Sequence, residues 1–543
     1  MIAVLLLPLA LVGQTAGDDA ASISGTVSNA LSGEPLRRTL IYLRRIDAAP
    51  SGTNMQVSKT VYTDAAGRFT IEGIAPGKYR LSAERQGFLA TSYGQRTPTG
   101  AGTLMTIDAG QKISDGSIRM TPHGVIAGRV VDEDGEPVVS ATVQVMRQLY
   151  AQGKKQLTGA GGGNTNDLGE YRVFGLRPGR YYVTVTYRGN PVLPEGEDDY
   201  VTTFFPRTTE QSAAVPVDVT PGAQLRNIDV AMRKLRTVTV RGKVTNEIPP
   251  GSASEGSQRM NVMLIPRASG MSSVNTRGSS VTPQGTFEIR SVTPGNYFLS
   301  AVAMGGGKTI ATRMPIQVGS SPVEGLSLVI RPGVPVGGTL KVEGDLPADL
   351  TRVRVSLAPE EISGVQFAPL PASQLKADGS FQFEEVGSDR YTVAVGNLPD
   401  GFFVKSIRSA NLDVLAGGIE ISGQAPAPLE VVVSPNAGQL AGTVVDKAQK
   451  PAIQATVVLV PLDKVRREKQ QYYRTVTSGL NGNFTFKDLI PGEYRVYAWE
   501  DVEYGAWMDP DFLKLFEGRG EAASIGEGAR LTVQVNLISA DAQ

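Results

Sequence analysis

Five tyrosines, Tyr79, Tyr181, Tyr297, Tyr391 and Tyr494, each stand ten residues after the aromatic of a Gly-x-aromatic triplet. The triplets start at Gly67, Gly169, Gly285, Gly379 and Gly482 and end on Phe69, Tyr171, Phe287, Phe381 and Phe484. Upstream, each unit opens on a glycine inside an apolar alternation: Gly25, Gly128, Gly242, Gly338 and Gly442, which precede the aromatic by 44, 43, 45, 43 and 42 residues. Each unit closes on a strand-like run such as residues 326–330 (LSLVI) or 429–433 (LEVVV). A spacing kept this closely in five copies identifies an internal repeat of about a hundred residues. The expected partition is residues 1–20 as an export signal, then repeats at 21–123, 124–235, 236–334, 335–437 and 438–543.

Within a repeat the local pattern is that of strands. Phe484 to Phe486 and Tyr494 to Ala498 alternate with period two, which buries one face and wets the other. The dipeptides Asp378-Gly379 and Asn481-Gly482 read as hairpin turns, where glycine accepts a positive φ. Four of the five tyrosines follow a Pro-Gly pair, and repeat 4 has Ser388 and Asp389 instead. Proline fixes the entry, the chain turns, and the tyrosine starts the next strand with its ring inward. Its hydroxyl can then reach back to a backbone group, like the tyrosine corner of immunoglobulin sandwiches. Helical signal is scarce; the best candidate has Asp509 as N-cap, Pro510 as first helical residue and Gly518 as stop. Many short strands and little helix imply an all-β chain, a tandem array of five Greek-key sandwiches of the immunoglobulin or transthyretin type.

Composition narrows the function. Lys+Arg and Asp+Glu both total 53, so no net basic charge favours nucleic acid. Cysteine is absent and His123 is the sole histidine, which excludes thiol chemistry, disulfides and any His-based triad or metal site. No cofactor is expected. Gly161 to Gly163 read as a flexible hairpin tip. The acidic runs Glu197 to Asp199 and Asp132 to Gly135, and the basic run Lys464 to Lys469, read as solvated loops, with calcium the functional alternative for the acidic ones. The apolar run Ile2 to Val12 is too short for a membrane helix and suits a signal segment, although a cationic start is missing; a buried strand is the alternative. No other run is long enough to span a membrane.

The unit G-x-V, G-x-P, A-x-V, D-x-x-G-x-[FY], P-G-x-Y resembles the carboxypeptidase regulatory-like domain. Repeat 2 carries it most fully, in Gly128, Val130, Gly135, Pro137, Ala141, Val143, Asp167, Gly169, Tyr171, Pro178, Gly179 and Tyr181. The resemblance implies a transthyretin-like sandwich related to Cna B-type and carbohydrate-binding-like modules, used as spacer, stalk, sugar binder or enzyme appendage. In Cna B-type repeats a glutamate four residues after the strand tyrosine catalyses a Lys–Asn isopeptide bond. Here that position holds Ala83, Val185, Ala301, Val395 and Ala498, so the crosslink is not expected. The same module precedes TonB-type outer-membrane receptors; this chain is not expected to be such a receptor itself, and work beside one is kept among the alternatives.

One segment departs from the repeat. Both tryptophans of the chain, Trp499 and Trp507, lie with Tyr504, Phe512 and five acids within residues 499–512 of an insert at residues 499–518. Aromatic faces beside carboxylates hold sugars in β-sandwich modules. Trp499, Tyr504 and Trp507 are therefore the candidate ligand-binding residues, expected as a partly exposed aromatic face. The structural alternative is a small core that caps the last repeat. The expectation is a secreted or cell-surface, non-catalytic scaffold or binding protein, with a glycan or another envelope protein as partner. The alternatives are a carbohydrate-binding protein, or an accessory to an exported peptidase, hydrolase or outer-membrane transport system.

Overall fold

A computed structural model describes residues 20–46, 57–95, 102–151, 153–187, 198–248, 259–267, 276–305, 308–344, 350–360, 372–479 and 481–539. The expected signal segment lies outside the described residues, apart from residue 20. The architecture is all-β, a series of paired antiparallel-rich sheets.

Repeat 5 gives the plan. One sheet orders Asn483–Leu489, the opening strand Gly438–Val445 and the closing strand Arg530–Ile538. The other orders Arg474–Thr477, Thr456–Pro461, the tyrosine strand Gly492–Trp499 and Glu521–Ile525. Opening and closing strands pair parallel, with Gln439 opposite Arg530 and Val445 opposite Asn536. Such parallel pairing of first and last strand recurs in all five repeats. In repeat 5 the closing strand also pairs with the tyrosine strand at Ala498 and Trp499, which joins both sheets along one seam.

The repeat's fixed residues have distinct jobs. In the pairing of opening strand with aromatic strand, Gly25 faces Phe69, Gly242 faces Phe287, Gly338 faces Phe381 and Gly442 faces Phe484. A Cβ on any opening glycine would stand 2.1–2.4 Å from a carbonyl oxygen of the closing segment, for example Val533 at 2.3 Å from Gly442. The closing backbone therefore packs directly on a residue that must lack a side chain. The triplet glycine has φ of 70–81° in every repeat, and its carbonyl accepts the N–H of Val27, Val130, Val244, Leu340 or Val444 at 2.7–2.8 Å. Positive φ at Gly379 and Gly482 agrees with the sequence, but neither turn closes a hairpin. The strand before each turn pairs in one layer and the strand after it in the other, so the turns are corners between layers.

The second corner carries the tyrosine. The hydroxyls of Tyr79, Tyr297, Tyr391 and Tyr494 donate to the carbonyls of Ala75, Thr293, Gly387 and Ile490, four residues back, at 2.7–3.0 Å. Each ring is buried, and the polar tip is satisfied by the corner it stabilises.

Separate buried clusters fill residues 21–120, 238–330, 336–433 and 440–535. By compactness the chain divides into two units: Met1–Ile126 with Val173–Gly179 and Asp218–Leu225, and the remainder. That division passes through repeat 2 rather than between repeats. Within the second unit, direct polar ties join consecutive repeats. Arg313 and Asp389 form a 2.9 Å ion pair with both side chains about one-fifth exposed. The Asp488 carboxylate accepts the Gly401 N–H at 2.6 Å.

Two loop expectations need correction. Gly161, Gly162 and Gly163 lie inside the strand Lys154–Asn164, paired to Val145, Gln144 and Val143, and the hairpin tip falls near Gly153. The missing side chains suit an edge strand, where backbone bonds suffice. The basic run forms a short helix, Lys464–Arg467, capped by Asp463. Beyond it, the Lys469 ammonium donates to the carbonyls of Leu415 and Ala416 at 2.8 Å, tying repeat 5 to repeat 4. Partial burial holds that ammonium below the usual lysine range.

Candidate functional site

The insert grows from the tyrosine strand of repeat 5. Along that strand Tyr494, Val496 and Ala498 point into the sandwich core, while Tyr497 and Trp499 point to the opposite face. In a solvated sheet that second face would be polar. Here its neighbour Thr456–Pro461 is apolar and buried on both faces, because Val457 and Leu459 enter the sandwich while Val458 and Val460 join the outer cluster. A strand apolar without alternation needs cover on both sides, and the insert supplies it.

The cover consists of a 3-10 turn, Ala506–Met508, and a helix, Pro510–Lys514. Asp509 caps that helix through the Asp511 N–H at 2.9 Å, as its sequence implies. Trp507, Met508, Leu513 and Phe516 descend onto Trp499 and Tyr497. The Tyr497 and Trp499 rings stack at 5.2 Å and 17°, and Phe516 meets Trp499 edge-on at 5.7 Å. The result is a second core on the outside of the sheet.

The three candidate residues therefore separate. Trp499 is fully buried and Trp507 is 3 % exposed, which corrects the expectation of an exposed tryptophan face. Only Tyr504, 67 % exposed, presents its ring to solvent, edge-on to Trp507 at 5.2 Å. The Trp499 indole N–H is buried without a hydrogen-bond partner. Of the five acids, Asp509 is a cap and Asp511 pairs with Lys514 at 2.8 Å. Burial raises the carboxyls of Asp501 and Glu503 above the ordinary range, and the positive charges of Arg147 and Lys155 pull Glu503 back.

Arg147 and Lys155 belong to repeat 2, so the insert is not an open end. The hairpin of Thr142–Ala151 and Lys154–Asn164 reaches it. Tyr150 meets Phe512 edge-on at 6.3 Å. Gly153, at φ 73°, lies so near the Met508 carbonyl that a Cβ would stand 2.7 Å from its oxygen. Gly505, at φ 86°, would bring a Cβ to 3.2 Å from Tyr150.

Of the acidic runs, Glu197 lies outside the described residues, and Asp198 and Asp199 open the strand Asp198–Val201 rather than a loop. The other run folds its own turn: the Asp132 carboxylate accepts the N–H groups of Asp134 and Glu136. Asp446 does the same for Ala448 and Lys450. Among the described residues no cluster of three or more His, Asp or Glu side chains could hold a metal ion. A half-open cleft of about 320 Å3 lies between repeats 4 and 5, lined by Val395, Leu398, Phe402, Leu415, Tyr472 and Arg474 among others.

A buried hydroxyl motif escaped the sequence reading. Thr63, Thr165 and Ser478, each four residues before the triplet glycine, donate to the carbonyls of Leu36, Val138 and Ala452 at 2.5–2.7 Å. Each also accepts one backbone N–H, from Thr39, Ala141 or Ala455. Repeats 3 and 4 have Val281 and Leu375 there. The hydroxyl occurs in the same three repeats in which Pro35, Pro137 and Pro451 bridge back to Ser28, Val131 and Val445 on the opening strand.

The family model for the carboxypeptidase regulatory-like domain matches residues 22–114 and 125–192. Among solved structures, the Bacillus anthracis TIE protein is 11 % identical, covering 76 % of this chain and 74 % of that one, with a TM-score of 0.16. GBS52, the minor pilin of Streptococcus agalactiae, is 13 % identical over 40 % of this chain and 96 % of that one, with a TM-score of 0.23. The shaft pilin SpaA of Lactobacillus rhamnosus GG is 12 % identical over 40 % and 98 %, with a TM-score of 0.20. At TM-scores this low the likenesses carry no argument about fold or function. No curated protein matches the chain.

Proposed function

We propose, for a chain whose residues 22–114 and 125–192 match the family model of the carboxypeptidase regulatory-like domain, an exported, non-catalytic scaffold of the cell envelope that spaces or binds other components. Five sandwich domains, at 21–123, 124–235, 236–334, 335–437 and 438–543, make up the scaffold. The observation that supports this reading is where the repeated residues go. Opening glycine, aromatic, turn glycine and tyrosine are all spent on closing one sandwich after another. Ties such as Arg313 to Asp389 then fix one repeat on the next. Sites on such a scaffold belong to departures from the repeat rather than to the repeat itself.

The test is to recover the protein from fractionated cells and sequence its N-terminus. A start between roughly residues 16 and 22, in the envelope or medium, fits a removed signal segment. Intact Met1 in the cytoplasm refutes export.

A second reading, carbohydrate binding at Tyr504 alone of the three expected residues, is favoured by its exposed ring with Asp501 and Glu503 nearby in the chain. A glycan-array screen of the full chain decides it. Binding lost in Tyr504→Ala at unchanged stability supports a sugar site, and no glycan bound leaves the scaffold alone.

A further inference from the structure

We propose that the tip of the repeat-2 hairpin is the resident occupant of the repeat-5 insert, an intramolecular clasp joining segments some 350 residues apart in the chain. It does not rest on export or on sugar binding.

Three features of the contact carry it. Shape comes first: two glycines, Gly153 on the hairpin and Gly505 on the insert, both hold positive φ; a Cβ on Gly153 would collide with the Met508 carbonyl at 2.7 Å, and one on Gly505 would crowd Tyr150 at 3.2 Å. Each removes bulk at the place where the other segment approaches. Apolar contact is the second, with the Tyr150 ring against Phe512, which in turn packs on Trp499 at 6.1 Å and on Phe516 at 5.0 Å. The third is charge: Glu503 on the insert lies in the field of Arg147 and Lys155 on the hairpin, and Lys155 also sits 5.3 Å over the Tyr150 ring. Opposite charges at the rim and rings at the centre are the arrangement of a specific interface.

The clasp gives the insert two states. Closed, it is covered by its own chain; open, Phe512 and the face beside Gly505 become available to another partner. Any protein that binds this face must displace the hairpin first, which lowers its apparent affinity by the closed-to-open ratio.

Hydrogen exchange on the full-length chain, read by mass spectrometry, tests the clasp. Tyr150→Ala should speed exchange across residues 500–516 by roughly fivefold, the scale of one aromatic pair, while the sandwich strands of repeat 5 keep their protection. Tyr150→Phe keeps the ring and should restore the wild-type rate, which separates loss of the clasp from a misfolded hairpin. Charge exchange is the independent arm. Glu503→Lys should open the clasp, and adding Lys155→Glu with Arg147→Glu should close it again. Unchanged exchange at 500–516 in Tyr150→Ala overturns the proposal. Protection of that segment that rises with protein concentration also overturns it, because the hairpin would then come from a second copy.

Discussion

Replacing Trp507 by alanine asks whether the insert is a core or a binding face. The ring is 3 % exposed, among Trp499, Tyr497, Leu513 and Phe516. A buried tryptophan removes roughly 150–250 Å2 from water, or about 4–6 kcal/mol at ~25 cal/mol per Å2. Measured truncations of buried aromatics cost about 3–5 kcal/mol. A domain of this size holds roughly 5–15 kcal/mol in all, so the variant should fold with its margin sharply reduced. The chain provides its own reporter, since both tryptophans lie in the insert and the emission of Trp499 remains in the variant. Urea unfolding followed by that emission therefore sees repeat 5 alone, and the multidomain chain does not blur the transition. With a urea dependence of about 1.5 kcal/mol per molar, the midpoint should fall by about 2–3 M. Tyr504→Ala, at an exposed ring, should move it by less than about 0.5 M. A shift below about 0.5 M for Trp507→Ala would refute the packed-core account and return the ring to the candidates for a ligand.

Three further outcomes follow from the same geometry. Gly442→Ala places a Cβ 2.3 Å from the Val533 carbonyl oxygen and should cost about 1–3 kcal/mol by pushing the closing strand outward, visible as a lower urea midpoint in the same assay. Burial raises the hydroxyls of Tyr391 and Tyr473 to about 12, so the folded chain keeps protons that the unfolded chain releases near pH 10. Their contribution is complete below pH ~10 and is lost as the pH climbs toward ~12, so thermal stability should decline over that window, alongside tyrosinate absorbance. Intact-mass measurement should show no loss of ammonia or water, because the position of a crosslinking glutamate is filled by Ala83, Val185, Ala301, Val395 and Ala498, and four of these are fully buried.

The repeat was legible because its signals are local and stereochemical. A glycine that must admit a neighbouring backbone, a glycine at positive φ and a tyrosine whose hydroxyl folds back four residues leave their mark at fixed positions. What the turns connect was not legible. Asp378-Gly379 has hairpin chemistry, yet it spans two sheets, because turn residues report the bend and not the partners of the strands. The glycine run at 161–163 misled for the related reason that an edge strand can be built from backbone alone. The burial of Trp499 and Trp507 was written in a different place from the insert, in the unbroken apolar run Val457 to Val460, which announces a sheet covered on both faces. The contact of Tyr150 with Phe512 joins distant segments and leaves no local pattern at all.

The parallel pairing of each repeat's first and last strands has a mechanical meaning. A chain under tension enters a repeat at one end of the opening strand and leaves at the far end of the closing strand. In repeat 5 the two run side by side from Gln439 and Arg530 to Val445 and Asn536. Pulling on the termini slides one strand along the other, so the hydrogen bonds between them carry the load together. In an antiparallel pair pulled from adjacent ends they would open one at a time. The opening glycine, with the closing backbone pressed against it, sits in the middle of that loaded seam. Each sandwich should therefore yield abruptly and at high force, and repeat 5, whose closing strand also grips Ala498 and Trp499 on the second sheet, should be the last to give way.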